Sequence, residues 1–171
     1  MTDQTFTILS KLLVENIPSS SKARKAFQSY QQGLQKQENG EYAQAFEFYI
    51  QSLELETDAF ARSYLYYNIG IIYFQLNETH RALLNFNQSL RLNPSNTGAL
   101  NNIAIVYYQI ADNLLSDNEL DQSDIFFERA KDYWIEATRL APDQYLEAQN
   151  WLCSMSFLNK NEFAVLDDIK A

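Results

Sequence analysis

Cysteine is almost absent from this 171-residue chain: Cys153 is the only one, so no intramolecular disulfide forms and a disulfide-framed secreted scaffold is excluded. Glycine and proline are also scarce, with 4 and 3 residues. Long stretches therefore run without a breaker, which argues for helices over many short strands. His80 is the only histidine. Positive charge is short: 13 basic residues face 22 acidic ones, a net charge of −9. Such a chain repels phosphate backbones, and nucleic acid is not an expected partner. There is no apolar run of about 18 residues, so no membrane span is expected. The N-terminus lacks both a basic head before a pure apolar run and an Arg/Ser-rich leader, so the chain reads as soluble and unprocessed.

What is present is apolar and aromatic. Apolar residues make up 46 % of the chain, with 11 Tyr, 11 Phe and 2 Trp. That supply fills a core or lines a binding surface. Charge is uneven. The first 26 residues carry Lys11, Lys22, Arg24 and Lys25 against Asp3 and Glu15. Residues 112–132 carry Asp112, Asp117, Glu119, Asp121, Asp124, Glu128 and Asp132 against Arg129 and Lys131.

A repeat organises the chain. Gly33, Leu34, Gly40, Tyr42, Ala45, Tyr49 and Leu53 recur 37 residues later as Gly70, Ile71, Asn77, Thr79, Ala82, Phe86 and Leu90. The second copy ends Leu92-Asn93-Pro94, and a third helix pair ends Leu140-Ala141-Pro142. Small, aromatic and small residues at this spacing resemble the tetratricopeptide repeat. Gly33, Gly70 and Ala104 mark a close helix crossing in the first helix of each pair. Ala45, Ala82 and Ala130 are the small residues of the second helix. Tyr49, Phe86 and Trp134 are expected to fill the wedge towards the next repeat. Pro94 and Pro142 stop the second helices. Asp58 and Ser95 or Asn96 are candidate N-caps.

The third unit is 14 residues longer than the first two. Seven extra residues per arm of an antiparallel hairpin are close to two helical turns, so each face keeps its phase. The expectation is an elongated hairpin over 98–116 and 119–140, turning near Ser116-Asp117-Asn118 and carrying the acidic cluster at its tip. An ordinary repeat with a loop over 112–124 is the alternative. Residues 1–21 read as an amphipathic helix (4–16) and linker, a cap for the array or a membrane- or partner-binding helix. Repeats span about 26–59, 63–96 and 97–142, within an array over 22–158. Tyr145 to Leu152 reads as a C-terminal capping helix, and 159–171 as a polar tail. The fold class is all-α: a tetratricopeptide-repeat superhelix of antiparallel helix pairs, capped at both ends.

Residues suited to chemistry do not cluster. Cys153 lies among Leu152, Met155 and Phe157 and reads as a buried structural thiol. No zinc spacing, phosphate loop or calcium loop is present. No catalytic residue, metal or cofactor is expected; the chain reads as a binder and not an enzyme. Repeats of this type bind through their first helices. The usual positions give Phe27, Tyr30 and Leu34 in the first repeat. They give Tyr64, Tyr67, Ile71 and Phe74 in the second, and Asn101, Ile105 and Tyr108 in the third. This aromatic, largely uncharged trough suits a peptide or helix with apolar anchors, or else half of these residues pack between helices. Arrays that clamp a chaperone carboxylate need cations where this chain has Tyr30, Leu34, Gly98 and Asn102. Only Asn68 fits that pattern, so a chaperone-tail adaptor is excluded.

Several stretches carry a closer likeness. They are Thr5-Phe6 with Ile17-Pro18; Ala26-Phe27, Tyr30 and Gly33; Arg62-Ser63-Tyr64 with Tyr67-Asn68-Ile69-Gly70; and Asn101-Asn102 before Ala104. Tyr133-Trp134, Tyr145, Glu147-Ala148 and Asn150-Trp151-Leu152 complete it. With the long third hairpin, these resemble the plastid and cyanobacterial photosystem I assembly proteins. The resemblance implies a chaperone-like factor without nucleotide that binds photosystem I subunits. It also implies an auxiliary assembly factor as a further partner. The site of action would be the thylakoid surface, stromal in a plastid and cytoplasmic in a cyanobacterium. A generic adaptor for another complex is the alternative. The chain departs from that family at its acidic Met1-Thr2-Asp3 start and at Cys153-Ser154-Met155-Ser156.

Overall fold

The computed structural model describes residues 20–156. The expected N-terminal helix and the polar tail lie outside them. The described residues contain seven helices and no strand: α1 (Ser21–Glu38), α2 (Tyr42–Leu55), α3 (Ala59–Gln75), α4 (Thr79–Leu92), α5 (Thr97–Ser116), α6 (Leu120–Leu140) and α7 (Leu146–Ser156). They fall into two compact units that meet in sequence at Pro94 and Ser95. The first holds α1 to α4, the second α5 to α7.

First and second helices of each pair begin differently. The first start at a polar cap, where Ser20 Oγ, Asp58 Oδ1 and Asn96 Oδ1 accept from the amides of Ala23, Ala61 and Ala99 at 3.1, 2.8 and 3.2 Å. Each cap satisfies an amide that the helix itself leaves open. The cap at Ser20 is why α1 starts ahead of the expected repeat boundary at 26. The second helices start straight out of a tight turn whose left-handed residue is Gly40, Asn77 or Asn118, with φ of 75°, 59° and 62°. Around each, two bonds close the preceding helix. The amides of Gly40 and Glu41 donate to the carbonyls of Gln37 and Lys36, those of Asn77 and Glu78 to Phe74 and Tyr73, and those of Asn118 and Glu119 to Leu115 and Leu114. This is the Schellman pattern, which favours glycine or asparagine at the left-handed position. The third turn therefore falls where the spacing predicts it, and the helical pair, not the 112–124 loop, is what forms.

Two of the second helices, α4 and α6, stop before proline. Asn93 and Ala141 precede Pro94 and Pro142 and leave the helical region, with φ of −141° and −145°. The proline ring disfavours helix at the residue before it.

In the first unit, the core forms where an aromatic ring of the second helix lies on a glycine of the first. A Cβ on Gly33 would meet the Tyr49 ring at 2.5 Å, and one on Gly70 would meet the Phe86 ring at 2.6 Å. The rings thus close their own hairpins, and Tyr49 also joins Leu65, Ile69 and Ile72 of the following helix α3. Buried hydroxyls add polar ties: Ser52 Oγ donates to the Ala26 carbonyl at 2.8 Å, and the Ser63 and Ser89 hydroxyls meet at 3.1 Å. Arg62 of α3 donates to the carbonyls of Leu53 and Glu56 at 2.7 and 3.0 Å, satisfying groups left open at the end of α2.

In the second unit Ala104 takes the glycine position and Trp134 the ring position, in one core with Ala130, Ala148 and Leu152. The elongated part of the hairpin is closed from inside. Ala111 is fully buried, and Ser123 Oγ donates to its carbonyl at 2.9 Å. Tyr107 packs on Phe126 and Tyr133, with centroids 5.9 and 5.8 Å apart. α7 caps this unit: Trp151 sits 4.8 Å from Trp134 and edge-on to Tyr108 at 5.9 Å, and Tyr145 donates to Thr97 Oγ1 at 3.1 Å. Cys153, expected inside, is exposed. Ala148 and Leu152 lie one turn apart on the buried side of α7, and Cys153 is rotated about 100° off that side.

A candidate protein-binding face on the first helices

The ten expected groove residues lie on α1, α3 and α5, the first helix of each pair. In α3 the stripe Phe60, Tyr64, Tyr67, Ile71, Phe74 follows the alternating four- and three-residue spacing of one helix face. The opposite side of α3 carries Leu65, Ile69 and Ile72 into the core. Apolar faces on both sides leave α3 a single charged residue, Arg62.

The ten residues divide by depth. Tyr30 is 6 % exposed, 6.1 Å from the Tyr49 ring, and its hydroxyl accepts from Asn68 Nδ2 at 3.3 Å. Tyr67, at 9 %, stands in the same relation to Phe86, again at 6.1 Å. Both rings wedge between the two helices of their hairpins, so they support the face from beneath and offer little surface to a ligand. Phe27, Leu34, Tyr64, Ile71 and Phe74 stay half-buried, as do Asn101, Ile105 and Tyr108. Phe27 and Leu34 rest on the first core. Asn101 accepts from Trp134 Nε1 at 3.0 Å, while Ile105 and Tyr108 pack on the second core. The accessible apolar part of the first unit's face is thus Phe27, Leu34, Tyr64, Ile71 and Phe74.

Phe60, absent from the expected set, belongs with them. It is 46 % exposed and packs edge-on against Tyr64, with centroids 5.0 Å apart. Its position four residues before Tyr64 was the available signal.

The electrostatics follow burial. Desolvation pushes the Tyr30 hydroxyl up to about 12, partly opposed by the Asn68 hydrogen bond. Burial likewise raises Tyr49, whose hydroxyl donates to Gln37 Oε1 at 2.8 Å. Both are neutral donors or acceptors at physiological pH. Asn68, the one residue matching a carboxylate clamp, is buried and committed to Tyr30. The face therefore offers apolar area and amide or hydroxyl groups in place of cations.

Antiparallel helix pairs with these small and aromatic positions define a tetratricopeptide-repeat protein, and residues 24–95 match that repeat family. A solved structure of the first such domain of Spaghetti (RPAP3), bound to an HSP90 peptide, superposes with a TM-score of 0.54 at 23 % identity, over 80 % of this chain and 94 % of that one. This likeness concerns the fold. Among curated proteins, Photosystem I assembly protein Ycf3 of Rippkaea orientalis is 41 % identical over 88 % of this chain and 87 % of its own length. The protein of the same name from Tetradesmus obliquus is 45 % identical over 88 % of each. The chain belongs to the Ycf3 family of photosystem I assembly proteins.

Proposed function

We propose that this chain is a non-enzymatic assembly factor for photosystem I, holding unassembled subunits through the apolar faces of its first helices. The family supports the process, and the half-buried stripe on α3 supports the mode. Apolar side chains held at fixed helical spacing, with little charge around them, match a partner helix that offers apolar anchors. An auxiliary assembly factor is a second protein partner. The factor works at the thylakoid surface as a peripheral protein; no described helix is long and apolar enough to cross a membrane.

Burial decides which residues test this. Tyr67 is part of the core, so its loss perturbs packing as well as binding. A photocrosslinker at Tyr64 or Phe74, both partly accessible, should capture photosystem I subunits from solubilised thylakoids. The double variant Tyr64→Ala with Phe74→Ala should keep its helicity and fail to support photosystem I accumulation. Capture of a different multiprotein complex, with normal accumulation in the variant, would identify an adaptor for that complex instead.

A further inference from the structure

The elongated hairpin has a flank that the described residues of the second unit leave open. Leu115 and Leu120 are 46 % and 54 % exposed. Leu115 follows Tyr108 by seven residues and Leu120 precedes Phe127 by seven. Seven residues are close to two turns, so each leucine keeps the phase of its aromatic partner. The Tyr108 and Phe127 rings meet edge to face at 5.5 Å, which puts Leu115 and Leu120 on that same flank, nearer the tip. Trp151 of α7 covers Tyr108 and Phe127, at 5.9 and 6.3 Å. Among the described residues the two leucines receive no comparable cover. They do not close the tip either, since Ala111 and Ser123 already do so from inside.

Acids are set between these apolar positions. Asp112 lies between Tyr108 and Leu115, Asp124 between Leu120 and Phe127, and both are exposed. Each helix thus reads aromatic, aspartate, leucine along the flank towards the tip. Asp117, Glu119 and Asp121 surround the turn, and no Lys, Arg or His occurs between Arg91 and Arg129. Arg129 itself lies over the Phe126 and Tyr107 rings, at 5.2 and 5.7 Å. The open apolar strip therefore sits in a field of one sign.

We propose that this flank docks a cationic amphipathic helix of a partner protein. Aliphatic side chains of that helix seat against Leu115 and Leu120, and its lysines or arginines meet Asp112 and Asp124. Apolar contact supplies the hold and the charges supply orientation and approach. The same field repels anionic lipid and nucleic acid. This surface shares no residue with the α1 and α3 face, so loss of either leaves the other testable.

The test titrates the full chain into a fluorescent Leu/Lys peptide of about five amphipathic turns, read by anisotropy. A peptide of the same composition with its apolar face scrambled, and a Leu/Glu counterpart, serve as comparators. The native chain should bind the amphipathic Leu/Lys peptide about tenfold more tightly than the scrambled one, and the Leu/Glu peptide hardly at all. The variant L115S/L120S should lose about tenfold in affinity. D112N/D124N should lose affinity and flatten the salt dependence. Leu84→Ser, at an exposed leucine of α4, should bind as the native chain does. Circular dichroism melts of all variants should coincide. Equal binding of the scrambled peptide, or undiminished binding by the folded double-serine variant, overturns the proposal.

Discussion

In the first unit each hairpin is closed by a ring lying on a glycine, Tyr49 on Gly33 and Phe86 on Gly70, with a tyrosine tilted against each ring at 40° and 44°. In the second unit Ala104 stands in the glycine position, Trp134 in the ring position, and Asn101 where the tyrosine stood. The exchange is concerted. The indole brings an N–H that must be satisfied when buried, and Asn101 accepts it at 3.0 Å. The first solution is tight and depends on a missing Cβ. The second relies on ring contacts that spread along a longer hairpin through Tyr107, Tyr108, Phe126, Phe127 and Trp151.

The sharpest break in this comparison comes from glycine. Gly70→Ala drives a Cβ into a fully buried ring, costing about 3 kcal/mol by overpacking against about 1 kcal/mol gained in helix propensity. A net loss of about 2 kcal/mol should appear in urea unfolding, relieved when Phe86→Leu is added. The reverse change in the second unit, Ala104→Gly, should cost only about 1 kcal/mol. Equal losses in the two units would show that the ring-on-glycine contact is not what distinguishes them.

Alkali separates the units next. The Tyr30 hydroxyl is raised to about 12, and Tyr49 is raised too. A raised folded-state value means stability is fully present below the unfolded value near 10. It is lost as pH climbs through the folded value. The first unit should therefore weaken between about pH 10 and 12, by about 1 to 2 kcal/mol for Tyr30. Tyr30→Phe should remove much of that slope, read from thermal melts at stepped pH. Tyr133 and Tyr145 are raised in the second unit by burial, but both are less deeply buried and should contribute less.

A smaller effect is expected from restoring the standard length. Removing 109–115 and 120–126 keeps the turn and takes seven residues, close to two turns, from each arm. It brings Ala104 and Ala130 to the separation of Gly70 and Ala82. The cost is the Ser123 bond and the Tyr107–Phe126 contact, about 1 kcal/mol net. A cooperative melt should survive. Its loss would mean that the extension is a structural part of the second unit.

Much of this was legible in the sequence because each signal is local. Small-aromatic-small spacing, Asp58 and Asn96 as caps, the proline stops and the position of the third turn all follow from residues within a few turns of one another. Depth was not legible in the same way. Tyr64 and Tyr67 share one helical face, and only Phe86, brought in by α4, decides that Tyr67 is core and Tyr64 is partly accessible. Cys153 misled for a related reason. Its apolar neighbours in sequence describe composition, whereas the side of α7 that packs is set by Ala148 and Leu152.

The turns give the smallest effect and the finest comparison. Gly40 adopts φ of 75° without penalty, while Asn77 and Asn118 hold nearly the same conformation with a side chain. Asn77→Gly and Asn118→Gly should therefore each change stability by about 0.5 kcal/mol, relief of left-handed strain being offset by a more flexible unfolded chain. Gly40→Ala should cost about 1 kcal/mol, since nothing crowds its Cβ position and only the backbone angle resists. If Gly40→Ala costs far more than that, the first turn carries a constraint beyond its dihedral angle. If it costs nothing, the turn relaxes out of the left-handed region, and the bonds from Gly40 and Glu41 to Gln37 and Lys36 break with it. Amide exchange at Gly40 and Glu41 distinguishes the two outcomes.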